Sequence, residues 1–383
     1  MALSNTAFYG QFAKRFRSAE ELEAYKKQSQ ENRAAGLDIQ LFGSPEEEIA
    51  PLTPSITPAE ERKRKNFSTI RQGTVTNTLT KIRAVEGKNL TIDQITGTAT
   101  IVKGNYAFTI QNYASLPGFR TSTYQLLDAL TTAFTESGGK SLTVSISLDD
   151  YMAMRGIKDR KEARNQVKAD LSVISQTSIT GEESRGKNTI SYAFVNIADS
   201  GILRRNGQID FTYGATYGQM LRNYPVMPYP TQLFRLNGKR NPNSFSFLRK
   251  ISEHKNMNAG KKNEDIISVR TLLDSTGHIP SYDDVMAGNK NISDRIILPF
   301  ERDMDELAET LSWHYCRSNN EPLSDQESAS MTYDIFIDLL VKITWKDYPD
   351  QTARLERKAE QIERAKKTRK GRTASKKKTE ETA

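Results

Sequence analysis

Apolar residues recur at helical spacing in two separate stretches of the chain, Ser147 to Ile179 and Asn241 to Leu311. In the earlier stretch Ala163, Val167, Leu171 and Ile174 follow one another at intervals of three and four, the inward stripe of an amphipathic helix. Asp159 stands before this helix as a cap, with Glu162 three residues later. A shorter helix precedes it, opened by the capping-box spacing of Ser147 and Asp150 and closed near Gly156. Ile157 and Lys158 form the turn between the two. After the long helix comes a polar turn, residues 181–188, and then the alternating run Thr189 to Ile197, which predicts a β-hairpin.

The later stretch begins with Asn241 and Pro242, an N-cap followed by proline at the first helical position. Phe247, Leu248 and Ile251 form the buried side of the predicted helix, with Arg249, Lys250 and Lys255 outward. A basic link, residues 258–263, leads to a short strand over 266–269, a brief helix around Leu272 and Leu273, and a stop at Gly277 and Pro280. The longest periodic run follows: Ile296, Phe300, Met304, Leu307 and Leu311, extended by Ile292 and Ile297. Pro299 must kink or divide it.

Charge gives these stripes a second meaning. Arg160, Lys161, Arg164, Asn165 and Lys168 lie opposite the apolar stripe of the first long helix, on a surface of the size that enters a major groove. A hairpin placed after such a helix is a wing, and Arg185 and Lys187 at its tip are suited to phosphates. In the second stretch Asn289, Lys290, Asn291, Ser293 and Arg295 are small polar and basic residues at a helix N-terminus, where helix-turn-helix proteins place base contacts. Asp294, Asp303, Asp305 and Glu306 make the rest of that helix acidic. Gly181, Gly186 and Lys187 satisfy the opening of a phosphate-binding Gly-x4-Gly-Lys loop. That reading fails, because Asn188 stands where Ser or Thr must bind Mg²⁺ and strand-forming residues replace the required helix.

The order of these elements resembles the initiator Rep protein superfamily, plasmid replication initiators built from two tandem winged-helix domains. The resemblance runs from about Thr121 to Tyr348. It includes an opening helix over Tyr124 to Phe134, a strand over Leu142 to Ile146, the helical pair Leu148 to Ile179, the run Pro230-Thr-Gln-Leu-Phe-Arg-Leu, and Arg295-Ile-Ile-Leu-Pro-Phe-Glu before a final strand. It implies binding of duplex DNA at repeated origin sites, local strand opening, recruitment of host replication proteins, and a monomer to homodimer exchange. It also implies that the second winged helix makes most base contacts, while the first supplies phosphate contacts and dimerisation.

The expected fold is therefore α+β: two tandem winged-helix domains, residues 119–228 and 229–350, preceded by a small β-rich segment. That segment, residues 66–118, shows strand patterning at Thr98 to Ile101 and Ala107 to Ile110 around Gly104-Asn105. Residues 1–65, with Glu46-Glu-Glu and four prolines between 45 and 58, read as a disordered linker. Within them Leu37-Asp-Ile-Gln-Leu-Phe resembles short clamp-binding peptides of bacterial replication proteins in its final Leu41 and Phe42. Asp38 replaces the expected Gln, and an incidental apolar island is the better reading. Residues 351–383 read as a disordered basic tail.

The net charge of +8 adds little to the case for nucleic acid. Residues 351–383 hold twelve Lys and Arg against five Glu, which leaves 43 basic against 42 acidic residues over 1–350. What points to nucleic acid is where the charge lies. With 36% hydrophobic and 27% charged residues and no apolar run of membrane-spanning length, the sequence fits a cytoplasmic, nucleoid-associated bacterial protein. Cys316 has no internal partner, and His254, His278 and His314 lack ligand spacing, so neither disulfide nor metal is expected, nor any other cofactor. Tyr213 and Tyr217 mimic the tyrosine pair of a rolling-circle nicking initiator, but no His-x-His metal strand accompanies them and core aromatics explain the pair better. Asp149-Asp150 and Asp283-Asp284 stand at helix starts, where the macrodipole accounts for them. The sequence is read as a noncatalytic, sequence-specific DNA-binding initiator of plasmid or mobile-element replication, with a winged-helix transcriptional regulator as alternative and a nicking enzyme as a more distant one.

Overall fold

Ser147 is extended, and its Oγ accepts the backbone N–H of Asp150 at 2.9 Å, so the chain turns from strand to helix at the residue whose side chain can cap it. The computed structural model in which this is seen describes residues 66–349, apart from 80–89, 94, 104–105, 112–118, 186–187, 289, 325–326 and 328–330. All of them belong to one compact unit. The expected linker 1–65 with its 37–42 island, and the basic tail 351–383, lie outside the described residues.

The described chain opens with β1 (Phe67–Arg71), α1 (Thr74–Leu79), β2 (Leu90–Asp93), β3 (Thr98–Lys103) and β4 (Tyr106–Ile110). Next comes α2 (Thr121–Glu136), buried along nearly its whole length. Its polar residues tolerate burial by bonding their own helix: Thr131 Oγ1 donates to the Leu127 carbonyl and Thr135 Oγ1 to that of Thr131, each at 2.7 Å. Then follow β5 (Thr143–Ser147), α3 (Leu148–Arg155), α4 (Arg160–Ser175), β6 (Thr177–Arg185), β7 (Asn188–Asn196), β8 (Ala198–Leu203), β9 (Gln208–Tyr213), α5 (Ala215–Asn223) and β10 (Val226–Pro230). The paired helices α3 and α4, their caps and their turn match the sequence reading.

The wing does not. The hairpin β6–β7 lies in a five-stranded sheet of order β2-β3-β4-β6-β7, so the strands of residues 66–118 and this hairpin form one sheet across the expected boundary at 118. Their apolar alternation explains the pairing, because Phe108 of β4 stands opposite Ile179 of β6 and both are buried. The hairpin that pairs with the strand before the two helices is β8–β9, in a three-stranded sheet of order β5-β9-β8.

The rest of the chain contains α6 (Gln232–Arg235), α7 (Ser244–Asn258), β11 (Ile266–Ser268), α8 (Val269–Leu273), α9 (Tyr282–Ala287), a π turn (Ser293–Ile297), α10 (Leu298–Asp305), a 3₁₀ turn (Glu306–Glu309), β12 (Leu311–Cys316), α11 (Tyr333–Asp338) and β13 (Leu340–Trp345). Here the sheet order is β11-β13-β12. Both halves thus follow one plan: a helix, a first strand, a short helix, a long helical segment, then two strands of which the last returns to the centre. The first half inserts β6–β7 after its long helix. The second inserts α9 before its own and α11 between its last two strands.

Four expectations for the second half are corrected. Asn241 and Pro242 precede α7, which begins at Ser244 because Asn243 donates both its backbone N–H and its Nδ2 to Asp303 Oδ2 at 2.8 and 2.7 Å. Val269, read as strand, already starts α8. Leu311 does not continue the helical run but opens β12; Pro299, lacking an N–H, sits just after a π turn in which the Leu298 N–H reaches the Ser293 carbonyl. Finally, Arg249 is buried and Lys255 pairs with Glu264 and Asp265, so neither presents a free outward charge. Phe300 centres this half, its ring 5.1 Å from Phe247 and 5.3 Å from Phe336.

Candidate nucleic-acid interface

Asp159 Oδ1 accepts the backbone N–H groups of Lys161 and Glu162 at 2.7 and 3.0 Å, which starts α4 one residue ahead of its basic face. Ala163, Val167, Leu171 and Ile174 are buried as expected. Lys161, Asn165 and Lys168, spaced by four and three, form an exposed stripe on the opposite side. The two lysines make no ion pair among the described residues.

The two arginines expected on this face serve its geometry instead. Arg164 donates to the carbonyl oxygens of Arg204 at 3.0 Å and Arg205 at 3.4 Å, fastening α4 to the β8–β9 turn. Arg160 pairs with Asp149 of α3 and passes beside Gly207, where a Cβ would come within 2.6 Å of its Nη2. Gly207 has φ +94°, a left-handed conformation that favours glycine. Arg204 is held by Asp210, which also accepts the Ser145 hydroxyl at 2.6 Å. Arg205 is exposed at the tip and unpaired among the described residues. Lys161, Lys168 and Arg205 therefore share one cationic surface built from helix and turn.

Arg204 and Arg205 escaped the sequence reading, although Asn206-Gly207 between two alternating runs is the strongest short hairpin signal and could have found them. Arg185 ends β6 in the other sheet, and only its backbone is described; Lys187 lies outside the described residues. The Arg185 backbone is thus separated from the α4 surface in sheet topology.

The inner side of α4 is anchored by a carboxylate. Asp170 accepts Thr123 Oγ1 at 2.7 Å and Ser122 Oγ at 3.1 Å, both in the first turn of α2, and Arg120 lies 3.6 Å away. Burial pushes its carboxyl above the usual range, opposed by these hydroxyls and then by Arg120 and Arg155. A carboxyl raised in the folded state stabilises most below its unfolded value of about 3.9 and loses that contribution as pH rises through the folded value. Asp170→Asn is therefore expected to gain on the native protein as pH rises from the acid range to neutrality. Urea unfolding of both proteins across that range checks this, and a stability difference independent of pH would refute it.

In the second half Lys290 is exposed at φ 59°, and Asn291 Oδ1 accepts the Asp294 N–H at 3.2 Å, capping the helical segment. Ser293 and Arg295 are exposed, while Asn289 lies outside the described residues. Lys290 and Arg295 make no ion pair among the described residues. Further along, Arg302 is paired with Asp303, and Glu301, whose carboxyl is pushed up by burial, accepts the Tyr315 hydroxyl at 3.2 Å. The cationic part of this helix is confined to its start.

The tyrosine pair is core: Tyr213 is 0% and Tyr217 1% exposed, with ring centroids 6.1 Å apart, and burial raises both hydroxyls well above their ordinary range. Asp149-Asp150 and Asp283-Asp284 occupy the first turns of α3 and α9. Among the described residues no group of three or more His, Cys, Asp or Glu is placed to hold a metal ion, and no helix is long and apolar enough to cross a membrane.

No protein-family model and no curated protein matches the chain. Among solved structures the chain is similar to a selenomethionine derivative of domain 2 and domain 3 of RctB, at 11% identity and a TM-score of 0.38 over 69% of this chain and 98% of that one. It is also similar to a second structure of RctB domains 2-3, at 10% identity and a TM-score of 0.37 over 70% of this chain and 96% of that one.

Proposed function

We propose that the chain is a sequence-specific double-stranded DNA-binding protein that initiates replication of a plasmid or mobile element by recognising its origin, with no bond chemistry of its own. The observation that carries this reading is the plan found in both halves, in which the last strand returns to the centre of a three-stranded sheet beside two helices. That is the order of a winged helix, and in the first copy the second helix and the wing turn jointly present Lys161, Lys168 and Arg205. The initiator role, a homodimeric state and host replication partners come from the resemblance to plasmid initiators. The burial of Tyr213 and Tyr217 speaks against this pair as nicking nucleophiles, since a phosphodiester cannot reach either hydroxyl. On this reading the protein works in the bacterial cytoplasm, on the nucleoid.

Selection of bound duplexes from a random pool tests DNA recognition, and a plasmid carrying only this gene and the selected site tests initiation. Replication of that plasmid is the expected result; binding without replication would leave a transcriptional regulator. Arg164→Ala, which unfastens α4 from the wing turn, is expected to weaken binding of the selected duplex about ten-fold. Unchanged affinity would remove the first copy from the interface.

A further inference from the structure

Each half opens with a helix, and the two opening helices are joined by a buried ion pair. Asp128 of α2 and Arg249 of α7 have side chains 5% and 7% exposed. Arg249 Nη1 donates to Asp128 Oδ2, the Tyr229 hydroxyl donates to the same oxygen at 2.6 Å, and the guanidinium lies 5.9 Å from the centre of the Tyr229 ring. Tyr229 belongs to β10, the strand between the halves. One turn earlier on α2, Gln125 Nε2 donates to the carbonyls of Leu233 and Leu236 at 2.8 and 3.0 Å, and Tyr124 stacks on Phe245 with planes 14° apart. Around the pair stand Ile70, Leu79, Leu127 and Tyr217, with Arg71, Thr76 and Thr131 as polar neighbours.

An ion pair placed among such residues contributes little stability that apolar side chains of the same size would not supply. What it adds is direction: a guanidinium N–H and a hydroxyl meeting one carboxylate oxygen tolerate only a narrow range of positions, whereas apolar contact is non-directional. We infer that Asp128, Arg249 and Tyr229 fix the distance and angle between the two DNA-reading halves, and so set the spacing between the two half-sites in the duplex. This inference rests on the function proposed above. Adding one base pair between half-sites moves them apart by about 3.4 Å and rotates them by roughly 35°. Hydrogen bonds of this kind break over a fraction of that displacement.

The test is binding of the full chain to its selected duplex carrying zero, one or two extra base pairs between the half-sites. The native protein is expected to lose about 10²-fold in affinity at the first insertion. Asp128→Leu/Arg249→Met/Tyr229→Phe, which replaces the cluster with apolar side chains, is expected to lose less than about ten-fold across the same series. Should that variant not fold, Arg249→Lys keeps the charge without the planar guanidinium and is expected to fall between these two profiles. A spacing profile identical to the native one in the folded variants would overturn the inference alone. Failure to select any duplex would overturn the DNA-binding reading and the inference together.

Discussion

Arg249→Met is expected to destabilise the protein by about 3–5 kcal/mol, because it leaves the buried Asp128 carboxylate without its cation. Burial already pushes the Asp128 carboxyl up, against the pull of Arg249 and the Tyr229 hydroxyl, and removing Arg249 lets it rise further. A raised carboxyl stabilises at low pH, so the deficit should be largest at neutrality and narrow on acidification through the folded value. The apolar triple replacement should stand within about 2 kcal/mol of the native protein, since no charge or hydroxyl is then left unpaired. Urea unfolding of the two variants at neutral and acid pH separates these effects. Equal destabilisation of the single and triple variants would show that packing, not charge, is what Arg249 supplies.

The second large effect concerns DNA. Removing three cations from the α4 and wing surface, in Lys161→Ala/Lys168→Ala/Arg205→Ala, is expected to lower the slope of log affinity against log salt by about 2 to 3, since each phosphate neutralised contributes about 0.9. These side chains are exposed and unpaired among the described residues, so thermal stability should not change. Titration of a labelled duplex at several salt concentrations measures the slope. A native slope in the folded variant would mean that DNA does not lie across this surface.

These two predictions differ in how far the sequence could have reached them. Lys161 and Lys168 were legible from periodicity, because a helix that buries every third or fourth residue must expose those opposite. Arg249 was not. Its position next to Lys250 in a helix with an apolar stripe places it on the outward edge, and burial follows only from a carboxylate 121 residues earlier in the chain. Arg160 and Arg164 were assigned to the correct face, but their partners Asp149 and the carbonyls of Arg204 and Arg205 show that they hold the surface together. The hairpin read as a wing lies where the alternation puts it but joins another sheet, for a related reason: alternation identifies a strand without naming its neighbour. Both β6–β7 and β8–β9 alternate, and only the pairing of β9 with β5 decides which one flanks the helices.

Local interactions determined the caps at Ser147 and Asp159, the left-handed stop at Gly156, the helical pair between them and the strands around Gly104-Asn105, because each depends on residues within one turn or one register step. Tertiary structure decided where α7 begins, which sheet each hairpin joins and which charges remain free. All of these depend on contacts between residues distant in sequence. The cationic surface and the buried pair between the halves belong to that second group, since a side chain's charge is written in the sequence but its partner is set by the fold.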